Sequence, residues 1–169
     1  LAVAAVFVSC GNPDPIDDTQ YLSFDVARAS YYGDYYGNGC SNYILKLVHG
    51  RYDDQQNLVG PGLVLTLDLN LPASNVLGIN SGNYKPLYSG TAPEFTFVRG
   101  GTSGNGELIG SYLLRFYGNE ENGEAHEITD GKIRVAYSGN MFVLDALLFI
   151  DGVRYSISYR GELYIYDET

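Results

Sequence analysis

The sequence predicts an all-β fold, and three observations carry that reading. Tyr (16) and Gly (21) are abundant while Met occurs once, a composition suited to pleated strands and tight turns rather than helices. Strand-like segments run from Tyr21 to Tyr166, and turn residues stand at the breaks between them. No stretch after residue 20 carries a convincing helical period, although Ala73 to Gly78 has room for one short turn. With 169 residues, 45% of them hydrophobic, the chain has the size and the apolar supply of one core.

The first element is an unbroken apolar run, Leu1 to Val8, closed by Ser9-Cys10. It is too short to span a bilayer as a helix and reads as the end of a secretory signal. Residues 1–9 are therefore expected to be a signal-peptide remnant, 10–20 an acidic tether, and 21–169 a single all-β domain. The tether holds Pro13, Pro15, Asp14, Asp17 and Asp18, the composition of a flexible linker. The run FVSC (7–10) resembles the lipobox of bacterial lipoproteins, whose cysteine is diacylated after cleavage of the preceding peptide bond. A residue other than Leu three places before the cysteine is the loose form found in Bacteroidetes lipoproteins. The resemblance implies lipidation at Cys10, anchoring to the outer membrane of a bacterial cell envelope and, with the acidic tether, display at the cell surface. An ordinary signal peptide whose remnant happens to contain a cysteine is the competing reading. Once Cys10 is acylated, Cys40 is the only other thiol and no intramolecular disulfide is available.

Strands are expected near residues 22–30, 42–48, 62–70, 94–98 and 109–117, with turns at Gly60-Pro61-Gly62, Ser81-Gly82-Asn83, Gly139-Asn140, Asp151-Gly152 and Arg160-Gly161. The last third is the most legible. Two-residue turns at Gly139-Asn140 and Asp151-Gly152 place Val135, Leu144 and Tyr159 in one cross-strand row and Ile133, Ala146 and Ile157 in another. Both turns, placed independently, agree on the core side. The same register sets Asp145 on the outer face between Arg134 and Ser158, so its expected role is a cross-strand ion pair rather than catalysis. Two internal echoes, NYILKLVHG (42–50) with SYLLRFYG (111–118) and INSGNY (79–84) with ITDGKI (128–133), suggest two related β halves or two similar local solutions. This arrangement favours an antiparallel two-sheet β-sandwich with a C-terminal meander. A lipocalin-like closed β-barrel is the alternative, and a continuous ladder joining the first strand to the last would mark it.

A formal net charge of −10 argues against nucleic acid as a partner. The candidate contact surface is SYYGDYYGNGCSNY (30–43), the connection between two strands, with Tyr31, Tyr32, Tyr35, Tyr36 and Asn38 as candidate ligand-binding residues. Tyr rings stack on sugars and aromatic groups. In the competing view the same rings cap the core. The acidic stretch 117–131 lacks calcium-loop spacing and reads as a solvated hairpin loop, so neither a metal nor another cofactor is expected. His49 and His126 stand in no catalytic motif, Asp53-Asp54 lies in a polar turn, and GTSGNG (101–106) has no helix behind it to cradle phosphate. The expected function is non-catalytic: a lipid-anchored envelope protein recognising a glycan or a protein. An envelope glycan hydrolase and a lipocalin-like carrier of an apolar ligand are the alternatives.

Overall fold

The computed structural model describes residues 18–88 and 93–169; the apolar run and Cys10 lie outside them. Nearly all of the regular secondary structure among the described residues is strand. In order the strands are β1 (Gln20–Ser23), β2 (Val26–Tyr31), β3 (Cys40–Tyr52), β4 (Leu58–Pro72), β5 (Gly82–Leu87), β6 (Thr96–Val98), β7 (Gly101–Thr102), β8 (Leu108–Ile109), β9 (Tyr112–Phe116), β10 (Glu124–Ser138), β11 (Met141–Ile150), β12 (Val153–Gly161) and β13 (Leu163–Asp167). A single 3-10 turn, Glu120–Asn122, precedes β10. Ala73 to Gly78 forms no helical turn.

Two walls face each other. One has the order β1-β12-β11-β10-β5, the other β13-β2-β3-β4, and β6 and β9 both pair with β4 beyond it. The long β10 joins the walls, because Glu124–Glu127 pairs with β9 while Ile133–Val135 pairs with β5. Strands β4, β9, β10, β5 and β6 thereby form a hydrogen-bonded ring. At the opposite edge β1 runs parallel to β12 and β2 parallel to β13. The first and last strands lie at opposite ends of the strand path and do not pair with each other, so the ladder expected of a lipocalin-like barrel is absent among the described residues and closure comes from the ring alone. The interior is nevertheless packed rather than hollow: Leu45, Leu47, Leu65, Leu67, Leu69 and Leu71 from one wall meet Ile133, Val135, Phe142, Leu144, Leu148 and Ile157 from the other in one apolar cluster.

The C-terminal meander follows the register read from its turns. Ile133, Val135 and Tyr137 face Ala146, Leu144 and Phe142, and Leu144, Ala146 and Leu148 face Tyr159, Ile157 and Tyr155. Asp151 and Gly152 carry φ of 49° and 77°, the positive pair a type I′ hairpin demands, and Gly139 opens the other turn at 60°. Asp145 lies opposite Arg134 and Ser158 as expected, but no ion pair forms with the arginine. The carboxylate instead accepts a 3.1 Å hydrogen bond from the Ser158 hydroxyl. Solvent exposure explains the difference, since a long cation gains little by being immobilised beside an exposed acid.

Other expectations change. Gly60-Pro61-Gly62 lies inside β4 rather than at a turn. Its glycines answer to packing: a Cβ on Gly62 would stand 2.3 Å from the Phe116 ring and 2.8 Å from the His49 carbonyl oxygen. Gly82 likewise begins β5, under the Phe95 ring. The acidic loop expected over 117–131 is shorter, because β10 starts at Glu124, and Ala125 and Ile128 tie that segment to the wall. The echoing segments are neighbours in one structure rather than the cores of two halves. β3 and β9 flank β4, and β5 pairs directly with β10.

One strand positions the candidate site. β4 is buried on both faces over much of its length: leucines 65, 67, 69 and 71 point inward, while Val64, Thr66, Asp68 and Asn70 point outward yet stay covered. The polar residues on its outer side therefore need local partners.

Candidate functional site

The stretch 30–43 is the connection between β2 and β3, and an acid organises it. The Asp34 carboxylate accepts hydrogen bonds from the backbone N–H groups of Asn38 (2.8 Å) and Gly39 (3.0 Å). The Asn38 side chain accepts one from the Cys40 N–H at 2.9 Å. Gly33, Gly37 and Gly39 adopt positive φ, which lets the chain wind around the carboxylate. On this frame Tyr32, Tyr35 and Tyr36 are 39%, 69% and 46% exposed. Tyr35 meets Tyr32 and Tyr36 edge to face, with ring centroids 6.2 and 5.1 Å apart. Tyr31 goes the other way. It packs against the core, 4.9 Å from the Tyr43 ring. The candidate residues thus divide: three tyrosines form an exposed cluster, Tyr31 caps the core, and Asn38 shapes the turn.

Tyr36 is also the lid of a buried acid. Its hydroxyl donates a 2.6 Å hydrogen bond to Asp68 Oδ2, and Asn42 Nδ2 donates to Oδ1 at 2.7 Å. Burial raises the Asp68 carboxyl above the ordinary aspartate range, against the pull of those two hydrogen bonds. Partial burial and the Asp68 contact push the Tyr36 hydroxyl well above the usual phenol range, so it stays a donor. The exposed ring is fixed to the sheet through a buried group.

Beside the cluster, the outer face of β13, β2, β3, β4 and β9 is open. Register places Tyr164, Arg28, Lys46, Thr66 and Tyr112 in one row across the five strands. The adjacent row runs Tyr166, Ser30, Ile44 and Asp68. A hollow of about 450 Å³ lies over these rows, with Tyr32, Tyr112 and Tyr166 on its sides. A second, of about 680 Å³, meets it at Arg28 and Lys46 and is lined further on by Tyr52, Asp53, Asn57, Glu120 and Glu121. The two make a continuous trough. The Arg28 guanidinium stands over the Tyr52 ring at 5.6 Å.

The chain matches no protein-family model, no curated protein and no solved structure. The site is therefore read from its own chemistry.

Each of the two histidines pairs with an aspartate, His49 with Asp25 at 2.8 Å and His126 with Asp151 at 2.5 Å. Among the described residues no three His, Cys, Asp or Glu side chains gather as metal ligands would. Asp53 is a turn residue as expected: Asn57 and Gln55 donate to its carboxylate and hold it below the ordinary aspartate range. Cys40 is a buried thiol whose pKa burial pushes up, the opposite of an activated nucleophile. Sequence reasoning missed Arg28, Lys46, Thr66, Asp68, Tyr112 and Tyr166. The alternation LVLTLDLNL did carry a signal, because it puts Thr66, Asp68 and Asn70 on the face opposite the leucines.

Proposed function

We propose that this chain is a non-catalytic binding module of the bacterial cell envelope, held to the membrane by a lipid at Cys10 and recognising a glycan on the outer face of the β2–β3–β4 wall. The observation that carries the reading is the exposed Tyr32, Tyr35 and Tyr36 cluster standing at the end of an open, tyrosine-sided trough. Flat rings with little side-chain entropy to lose, set beside polar groups, suit the apolar faces and hydroxyl edges of sugars. Two features weigh against a hydrolase. The carboxyl group with the raised pKa, Asp68, has both oxygens engaged by Tyr36 and Asn42. Asp53, in the trough, is held ionised by its turn, a poor state for a general acid. A carrier of an apolar ligand would need room inside the walls, and that space is filled by Tyr43, Tyr84, Phe97, Phe142 and leucines.

The test is a glycan array probed with the full chain, followed by titration of any hit against Tyr32→Ala and Tyr35→Ala. Each ring removed is expected to weaken binding by roughly tenfold, about 1–2 kcal/mol, while the melting temperature moves little because both rings face solvent. A large drop in melting temperature with binding unchanged would return these rings to a packing role.

A further inference from the structure

In a chain with 20 acidic and 10 basic residues, cations are scarce. Two of them nevertheless sit directly opposite each other: Arg28 on β2 and Lys46 on β3 are register partners, both exposed on the outer face. No other pair of described strands sets a cation across from a cation. Like charges so placed oppose sheet formation, and neither is ion-paired with a carboxylate. The next residue in their row is Thr66, 3% exposed, whose hydroxyl is buried without a hydrogen-bond partner. An unpaired buried hydroxyl also costs stability. Two unfavourable features thus adjoin each other in the floor of the 450 Å³ hollow, between the rings of Tyr112 and Tyr166.

We infer that this hollow binds an acidic sugar, its carboxylate seated between the Arg28 guanidinium and the Lys46 ammonium and the pyranose lying against Tyr112 or Tyr166. The facing cations are relieved by such a ligand. A carboxylate neutralises them and accepts the guanidinium fork in two parallel bonds. The Thr66 hydroxyl lies beneath the surface of the floor and out of the ligand's reach. The neighbouring acids do not compete for the cations, since Asp68 is already engaged by Tyr36 and Asn42, and Asp53 by its own turn. Glu120 and Glu121 line only the adjoining hollow and form no ion pair with Arg28 or Lys46. The protein's overall negative charge would repel a long polyanion, so the fit is to a short acidic oligosaccharide rather than to a long polyanionic chain.

This inference rests on the glycan-binding reading, and the experiment separates the two. Calorimetric titration of the full chain would use three oligosaccharides, namely an oligogalacturonate, the same oligosaccharide with its carboxyl groups reduced to alcohols, and a sulfated oligosaccharide of equal length, with polyglutamate as a polyanion that carries no sugar. The oligogalacturonate is expected to bind at least about tenfold more tightly than the other two. Arg28→Gln and Lys46→Gln should each remove about that factor, and added salt should weaken binding further. Thr66→Val, which loses only a buried hydroxyl with no partner in the fold, should keep or raise the melting temperature and leave oligogalacturonate binding unchanged. Equal binding of the reduced ligand, or indifference to both Gln variants, overturns the inference and leaves glycan binding standing. Preference for the sulfated ligand overturns the assignment of a carboxylate. Binding of polyglutamate as tightly as oligogalacturonate removes the sugar from it. Failure of all three oligosaccharides, with no hit on a wider glycan array, defeats both readings.

Discussion

Asp68 shows how one residue links the fold to the surface above it. It lies on the outer side of a strand buried on both faces, with Asn42 and Tyr36 each holding one carboxylate oxygen and its own N–H donating to Ser111 Oγ at 3.0 Å. Because burial raises its pKa, the folded state binds its proton more tightly than the unfolded chain does. The group's contribution to stability is therefore full below the ordinary aspartate range and is lost as pH rises through the folded-state pKa. Asp68→Asn imitates the protonated acid: its oxygen still accepts from Asn42, and its amide can donate to the Tyr36 oxygen. The expected result is a urea midpoint at neutral pH equal to or above the parent's, with a flatter profile as pH rises above the ordinary aspartate range. Asp68→Ala should cost about 1–3 kcal/mol and free the Tyr36 ring from its tether. A midpoint lowered equally by both substitutions would mean that the ionised carboxylate itself is what the fold needs.

At the scale of the element, register is the controlling quantity. The pairing of the meander from Ile133 to Tyr159 was legible because two tight turns with Gly at positive φ fixed it and every inward position there proved apolar, although Arg160-Gly161, expected as a turn, lies in β12. Where a glycine served packing instead, the sequence misled: Gly62 resembles turn chemistry but accommodates Phe116, a residue on β9 far along the chain. The same ambiguity hid the start of β10, whose acidic residues look like a loop yet lie in a strand paired with β9. The candidate site was half legible. Its tyrosine cluster was visible as composition, whereas the Arg28–Lys46–Thr66 row exists only once three strands are placed side by side. The bulge in β10 tests the idea that these glycines are structural. The register slips between Ile128 and Asp130, Gly131 follows at φ 140°, and a Cβ there would stand 2.4 Å from the Leu147 carbonyl oxygen. Gly131→Ala is expected to lose about 1–3 kcal/mol by urea denaturation. Gly118→Ala, with nothing within 4 Å of the added carbon, should stay within about 0.5 kcal/mol of the parent.

For the whole molecule, the ends of the domain matter most, because the first and last segments seal one edge of the two walls and the proposed lipid anchor lies just before the first. Cys10→Ala, in the protein expressed with an intact signal, should shift it from the detergent phase to the aqueous phase or block its processing. Equal retention in detergent would remove the lipid anchor and leave the binding face untouched. The seal itself makes a sharper demand. β13 covers the free edge of β2 by parallel pairing from Leu163 with Ala27 to Asp167 with Tyr31, and the Glu168 N–H donates to the Tyr31 carbonyl oxygen at 2.9 Å. Leu163 and Ile165 add apolar contact with the core. Ending the chain after Glu162 would uncover the unpaired backbone of β2, the strand that carries Arg28 and pairs with the one carrying Lys46, and exposed edges of that kind recruit other strands. Burying two half-covered aliphatic side chains contributes about 1–2 kcal/mol each, so the truncated chain should unfold at a distinctly lower urea concentration. It should also self-associate in sedimentation velocity despite its negative charge. A truncated protein that stays monomeric with an unchanged midpoint would show that the seal is not what holds the two walls together, and the ring of β4, β9, β10, β5 and β6 would then have to close the fold by itself.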